Sequence, residues 1–225
     1  MGDAIGQSLP MAVGVALSPI PIIAVILMLV TPRARSNGPA FIVGWLLGLA
    51  VIGVLVLCVA GPTNASEGGA PATWVSVLEL VLGLLLLLVA LKQFRARPAP
   101  GEEGAMPKWM GAIDGFKPGK ALGAGAVLAG ANPKNLLLAV AGAAAIAQTG
   151  ITGGQQAGSY LIFMLIATIG VALPVVIFFA LGDRAPEVLG HLKDWMAHNN
   201  AVIMAVLCLV IGVKLIGGAI GPLTS

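Results

Sequence analysis

The sequence predicts an all-α integral membrane protein: six transmembrane helices forming two inverted three-helix repeats, with the first and fourth helices broken. Three observations lead there. The 225-residue chain is 58% hydrophobic and 9% charged, with a mean hydropathy of +1.01, whereas a soluble domain is about a quarter charged. Six apolar segments, near 8–30, 39–61, 74–92, 121–147, 157–182 and 199–219, are long enough to cross a ~30 Å hydrocarbon layer, which takes about 20 helical residues. Prolines flanked by polar residues interrupt the first and fourth of these.

The first segment opens after Met1-Gly2-Asp3-Ala4, which lacks the basic start of a secretory signal, so the segment is expected to remain in the mature protein. Its break is Ser18-Pro19-Ile20-Pro21. Two prolines at i and i+2 leave nearby carbonyls without helical donors. The second segment carries Gly44 and Gly48 four residues apart, a spacing that lets helices approach closely. Glu79 lies about five residues into the third segment, an expensive place for a carboxylate.

The fourth segment holds the most informative stretch, Ala131-Asn132-Pro133-Lys134-Asn135. A lysine this deep costs about 2.5 kcal/mol or more on insertion scales. The proline removes a helical hydrogen bond, and two asparagines can serve the backbone groups it frees. Broken backbone with polar side chains at membrane depth points to a cavity or pathway. Small residues at Ala121, Gly125 and Ala129 precede it. Pro174 is expected to kink the fifth segment, and Lys214 lies about five residues from the end of the sixth.

The connections sort by charge. Ten of the twelve basic residues fall after the first segment (Arg33, Arg35), between the third and fourth (Lys92, Arg95, Arg97, Lys108, Lys117, Lys120) and between the fifth and sixth (Arg184, Lys193). Loops 62–73 and 148–156 have none. Retaining the basic loops in the cytoplasm puts both termini outside the cytoplasmic membrane.

Between the halves, Pro98 to Gly104 reads as a flexible stretch, and Trp109, Met110, Ile113 and Phe116 recur at helical spacing, as in an interfacial amphipathic helix. Leu189, Leu192, Trp195 and Met196 form a similar stripe before the sixth segment, with His191 and His198 as interfacial residues. The organisation is therefore 1–95 as the first repeat, 96–120 as a cytoplasmic linker and 121–225 as the second repeat.

The halves resemble each other. Ser18-Pro19-Ile20-Pro21-Ile22-Ile23-Ala24 can be laid on Asn132-Pro133-Lys134-Asn135-Leu136-Leu137-Leu138, and Val77-Leu78-Glu79-Leu80-Val81-Leu82-Gly83 on Val206-Leu207-Cys208-Leu209-Val210-Ile211-Gly212. An odd number of spans per repeat inverts the second, and inverted repeats with paired broken helices are a secondary-transporter arrangement. Facing breaks would form a site from Ser18, Pro19, Pro21, Asn132, Pro133, Lys134 and Asn135, suited to an anionic or polar group. Glu79 and Lys214, at similar depth on equivalent segments, form either a structural ion pair or a proton-coupling pair.

The chain has no G-x-x-x-x-G-K-[ST] sequence and no acid/base, nucleophile or metal-ligand constellation. Neither enzyme activity, cofactor, metal nor nucleic-acid partner is expected. Cys58 and Cys208 lie in apolar runs without ligand spacing and are expected to be buried.

Pro19-Ile20-Pro21 and Asn132-Pro133-Lys134 resemble the break motifs of the lysine exporter (LysE) superfamily. Leu17-Ser18-Pro19-Ile20-Pro21-Ile22 and Pro107-Lys108-Trp109-Met110 leading to Lys117-Pro118-Gly119 are most similar to its actinobacterial GAP family, the peptidoglycolipid or sulfolipid addressing proteins. The likeness covers nearly the whole chain. It implies a homodimer that moves cell-envelope glycolipids, or their anionic or polar precursors, across the cytoplasmic membrane, with membrane lipids as partners. Ile20 stands where the amino-acid exporters carry glycine, which makes export of amino acids or similar small solutes the second expectation. A third is an accessory subunit that positions envelope-lipid synthesis or export proteins, docked through loop 93–120.

Overall fold

The computed structural model describes residues 1–60, 73–96 and 108–224, and these are helical almost throughout, with no strand among them. Loop 62–73, apart from Thr73, and the Pro98–Gly104 stretch lie outside the described residues. In chain order the helices are α1 (Gly2–Ala16), α2 (Pro19–Leu29), α3 (Ala34–Ala60), α4 (Thr73–Arg95), α5 (Pro118–Gly130), α6 (Pro133–Ala147), α7 (Gly153–Leu181) and α8 (Ala185–Thr224). A 3₁₀ segment spans Lys108–Gly115, and a 3₁₀ turn, Gly182–Arg184, separates α7 from α8.

Length and apolarity give three stretches able to cross a membrane, and four when α1 and α2, bent by 49° at their break, count as one. One of the three is the continuous run Gly153–Ile220, 68 residues long. At 1.5 Å per residue that run would measure about 100 Å, over three times a bilayer core. It is divided at Gly182, whose φ of +51° suits glycine and ends α7. Helices α5 and α6, 13 and 15 residues long, are each too short to cross alone. The sequence expectation of six crossings therefore exceeds what helix length alone supports, because a broken span reads as two short helices.

The surface is inside-out relative to a water-soluble protein. Val43, Leu47, Val51 and Val54 on α3, and Leu161, Leu165, Ile169 and Leu173 on α7, recur at helical spacing and are exposed. In water such stripes would be a large apolar liability; against lipid tails they are the expected face. Cys58 belongs to this exposed face, so only Cys208 matches the expectation of burial. Apolar surroundings in sequence do not distinguish a lipid-facing side chain from a core one.

Small residues carry the tight packing. Helix α3 lies against α5, where a Cβ on Gly44 would collide with the Leu122 carbonyl and one on Gly125 with the Phe41 carbonyl. Gly170 stands in the same relation to the Ala16 carbonyl, where α7 crosses α1. Glycine permits these backbone approaches because it has no Cβ. Gly83 and Gly212 meet where α4 crosses α8; a Cβ on Gly212 would lie 3.0 Å from the Gly83 carbonyl oxygen.

The packing partners recur in matched pairs. Helix α3 lies against α5 as α7 lies against α1; α1 against α6 as α5 against α2; α2 against α8 as α6 against α4. Two polar ties add to this: Tyr160 Oη donates to the Leu49 carbonyl at 2.9 Å, and Asn37 Nδ2 donates to the Phe116 carbonyl at 3.0 Å.

Where the stripe Trp109, Met110, Ile113 and Phe116 predicts an interfacial helix, the structure has a 3₁₀ segment, Lys108–Gly115, packed on α2, with Met110 and Ile113 buried. Gly111 and Gly115 within it weaken α-helix formation. The stripe Leu189–Met196 belongs to the continuous helix α8, with Leu189 and Met196 buried and Trp195, His191 and His198 exposed. Pro174 is accommodated inside an unbroken α7.

Candidate functional site

Both breaks follow one backbone recipe. Ser18 and Asn132 are extended N-caps, at φ −83°, ψ 108° and φ −68°, ψ 117°, and each is followed by a proline in the first turn. Proline is well placed there because the first helical N–H groups have no partner to lose. Each cap carbonyl accepts the first helical bond, Ser18 from Ile22 at 3.4 Å and Asn132 from Leu136 at 2.9 Å.

The side chains then diverge. Asn132 Oδ1 accepts from its own helix, the backbone N–H of Lys134, at 3.2 Å. Ser18 makes no capping bond. Its hydroxyl donates to Asn135 Oδ1 at 2.5 Å and accepts from Lys134 Nζ at 2.6 Å. Asn135 Nδ2 donates to the Leu128 carbonyl at 3.0 Å, at the end of α5 where the break interrupts the helical ladder. One polar chain therefore runs from α2 across to α6 and back to α5.

This chain is enclosed. Ser18, Lys134 and Asn135 are 2%, 1% and 0% exposed, and Pro19 and Pro21 are buried beside them. Among the described residues the only ion pair within 4 Å joins Lys193 to Asp194, so no carboxylate lies within that distance of Lys134. The Cys208 thiol on α8 is near its ammonium. This buried lysine amine is held by a hydroxyl, with no compensating charge within 4 Å among the described residues. A cavity of about 430 Å³, whose lining includes Lys92, Gln93, Asn132 and Lys134, joins the second break to the surface.

The structure thus brings Ser18, Lys134 and Asn135 into contact, keeps Pro19, Pro21 and Pro133 as the helix starts that position them, and turns the Asn132 side chain to capping. Lys92 and Gln93 escaped the sequence reading as site residues, because a lysine at the end of an apolar span reads as a membrane anchor.

Glu79 and Lys214 occupy a separate cavity of about 290 Å³, lined also by Gln7, Met11, Gln148 and Gly218. Glu79 is 8% exposed, and Lys214 is exposed and donates to the Gln7 carbonyl at 2.6 Å. The two share the cavity without coming within 4 Å of each other. Gln148 lines the same space, its buried Nε2 beside the Glu79 carboxylate but outside strict hydrogen-bonding geometry. No sequence signal marked it, since it closes an apolar run of alanines.

Residues 9–221, nearly the whole chain, match a family model described as Sap, sulfolipid-1-addressing protein. No curated protein and no solved structure matches the chain.

Proposed function

The chain belongs to the family of sulfolipid-1-addressing proteins, and on that premise we propose that it moves an anionic envelope glycolipid, or its precursor, across the cytoplasmic membrane. Family membership supports the coarser statement, a role in addressing a sulfolipid or related glycolipid. The finer reading rests on one observation: the polar chain Lys134–Ser18–Asn135 that joins the two helix breaks, with an enclosed lysine amine that has no carboxylate within 4 Å among the described residues. Discontinuous helices meeting at such a point are where secondary transporters hold their cargo.

The six-crossing inverted arrangement belongs to this proposal. It takes α1–α2 and α5–α6 as one broken span each and α7 and α8 as separate spans. The matched packing partners support it, as does the meeting of Gly83 with Gly212, two positions equivalent in the internal sequence match. Equivalent positions touch where a two-fold axis passes between them. The break motifs support kinship with the lysine exporter superfamily, and the distribution of basic residues supports termini on the outer side. Within this reading the chain works without catalytic groups, and Glu79 and Lys214, which make no direct ion pair within 4 Å, serve in proton coupling.

The test is movement of a head-group-labelled sulfated glycolipid between leaflets of reconstituted vesicles, read by chemical quenching of the outer leaflet. Wild type is expected to expose the inner label, and Lys134→Met is expected to lose at least 90% of the rate, of the size that about 1.4 kcal/mol gives. Equal rates in the two would overturn the reading. The accessory reading is favoured by the enclosure of Lys134, which is 1% exposed although it lines the cavity at the second break. It predicts no lipid movement by the purified chain at all.

A further inference from the structure

The cavity that reaches Lys134 continues past its polar rim. A second groove, of about 370 Å³, adjoins it and shares Val89, Lys92 and Pro133 with it. On α4 its lining residues are Leu85, Leu88, Val89 and Lys92, the i, i+3, i+4, i+7 stripe of one helix face. On α6 they are Pro133, Leu136 and Leu137, the i, i+3, i+4 positions of another. Both stripes begin at the Lys92–Pro133 end and become purely apolar away from it. The result is one trough between α4 and α6, polar at one end and apolar along the rest.

We infer that this trough is a lateral binding site for an anionic lipid drawn from the bilayer itself. The head-group anion lies by Lys92, Gln93 and Asn132, and an acyl chain lies along Leu85, Leu88 and Leu136. Charge selects the occupant. Lys92 is exposed, makes no ion pair within 4 Å among the described residues, and has the uncompensated Lys134 behind it. Among the described residues, no acidic side chain lines either part. A zwitterionic lipid would bring a cation of its own to this end. A free anion would fill the polar end and leave the leucines unused. Leu88 is 62% exposed and Leu85 41%, so the apolar part is open to lipid tails from the side.

The inference deepens the proposed function by placing the cargo's entry beside the second break, and rests on it only for the identity of that cargo. Binding here is measured without transport, so the two ideas fail separately. If Lys134→Met moves labelled lipid at the wild-type rate, the transport reading falls while the trough can still bind.

The experiment is native mass spectrometry of the full-length purified protein with equal amounts of phosphatidylglycerol and phosphatidylcholine. Wild type is expected to retain phosphatidylglycerol preferentially. Lys92→Gln is expected to lower that preference about fivefold, the effect of one lysine charge near a membrane surface, without changing phosphatidylcholine retention. Leu88→Trp, at an exposed position that leaves the core intact, is expected to fill the trough and lower retention of both lipids. Inorganic sulfate at millimolar concentration is expected not to displace either lipid. The inference is overturned by an unchanged lipid preference in Lys92→Gln, or by displacement with sulfate, which would make the site one for free anions. It is equally overturned if Leu88→Trp dissociates a dimer and leaves lipid retention unchanged, which would make the trough a seat for a second copy of the chain.

Discussion

At both breaks the chain enters a new helix through an extended polar cap followed by proline, yet the two caps serve different ends. Asn132 closes the start of its own helix. Ser18 leaves its helix start without a side-chain cap and reaches across the molecule to Lys134 and Asn135. A serine in that position is ordinarily a local stabiliser. Its diversion shows that the first break is built to hold the second, and that the lysine lies in the second break with its partner in the first.

The difference can be probed by removing each polar group in turn and measuring unfolding in detergent micelles. The largest effect is expected for Asn135→Leu. It removes the acceptor for the buried Ser18 hydroxyl and the donor to the part-buried Leu128 carbonyl, and is expected to destabilise by about 2–5 kcal/mol. Ser18→Ala follows, at about 1–3 kcal/mol, because it leaves the Lys134 ammonium without its hydroxyl partner. Asn132→Ala is expected to be the mildest, at about 1 kcal/mol, the ordinary loss of a cap. Equal losses for Ser18→Ala and Asn132→Ala would erase the distinction between the breaks.

Much of this geometry was legible in the sequence, for physical reasons that attach to particular residues. Prolines and a lysine inside apolar runs are too expensive to be incidental, so Pro19, Pro21, Pro133 and Lys134 marked both breaks. Small-residue spacing marked Gly44 and Gly125 as places of close approach, while their meeting across α3 and α5 came only from the structure. What stayed hidden is rotational. An apolar helix in a bilayer has no polar face to show which side meets lipid, so the exposure of Cys58 and Lys214 was not readable. Nor could residue type distinguish Asn132, which caps its own helix, from Asn135, which crosses to Ser18. The fusion of residues 185–198 with the last apolar segment into one 40-residue helix was masked by the interfacial look of His191, Trp195 and His198.

The most direct measurement is a double-mutant cycle on lipid movement, comparing Ser18→Ala, Lys134→Met and the double variant in the same vesicles. Residues acting as one unit give strongly non-additive losses. The account predicts that each single change slows transfer and that the double variant is no slower than the worse single one. If the two losses simply multiply, Ser18 and Lys134 act independently, and the joined breaks are not the site of transfer.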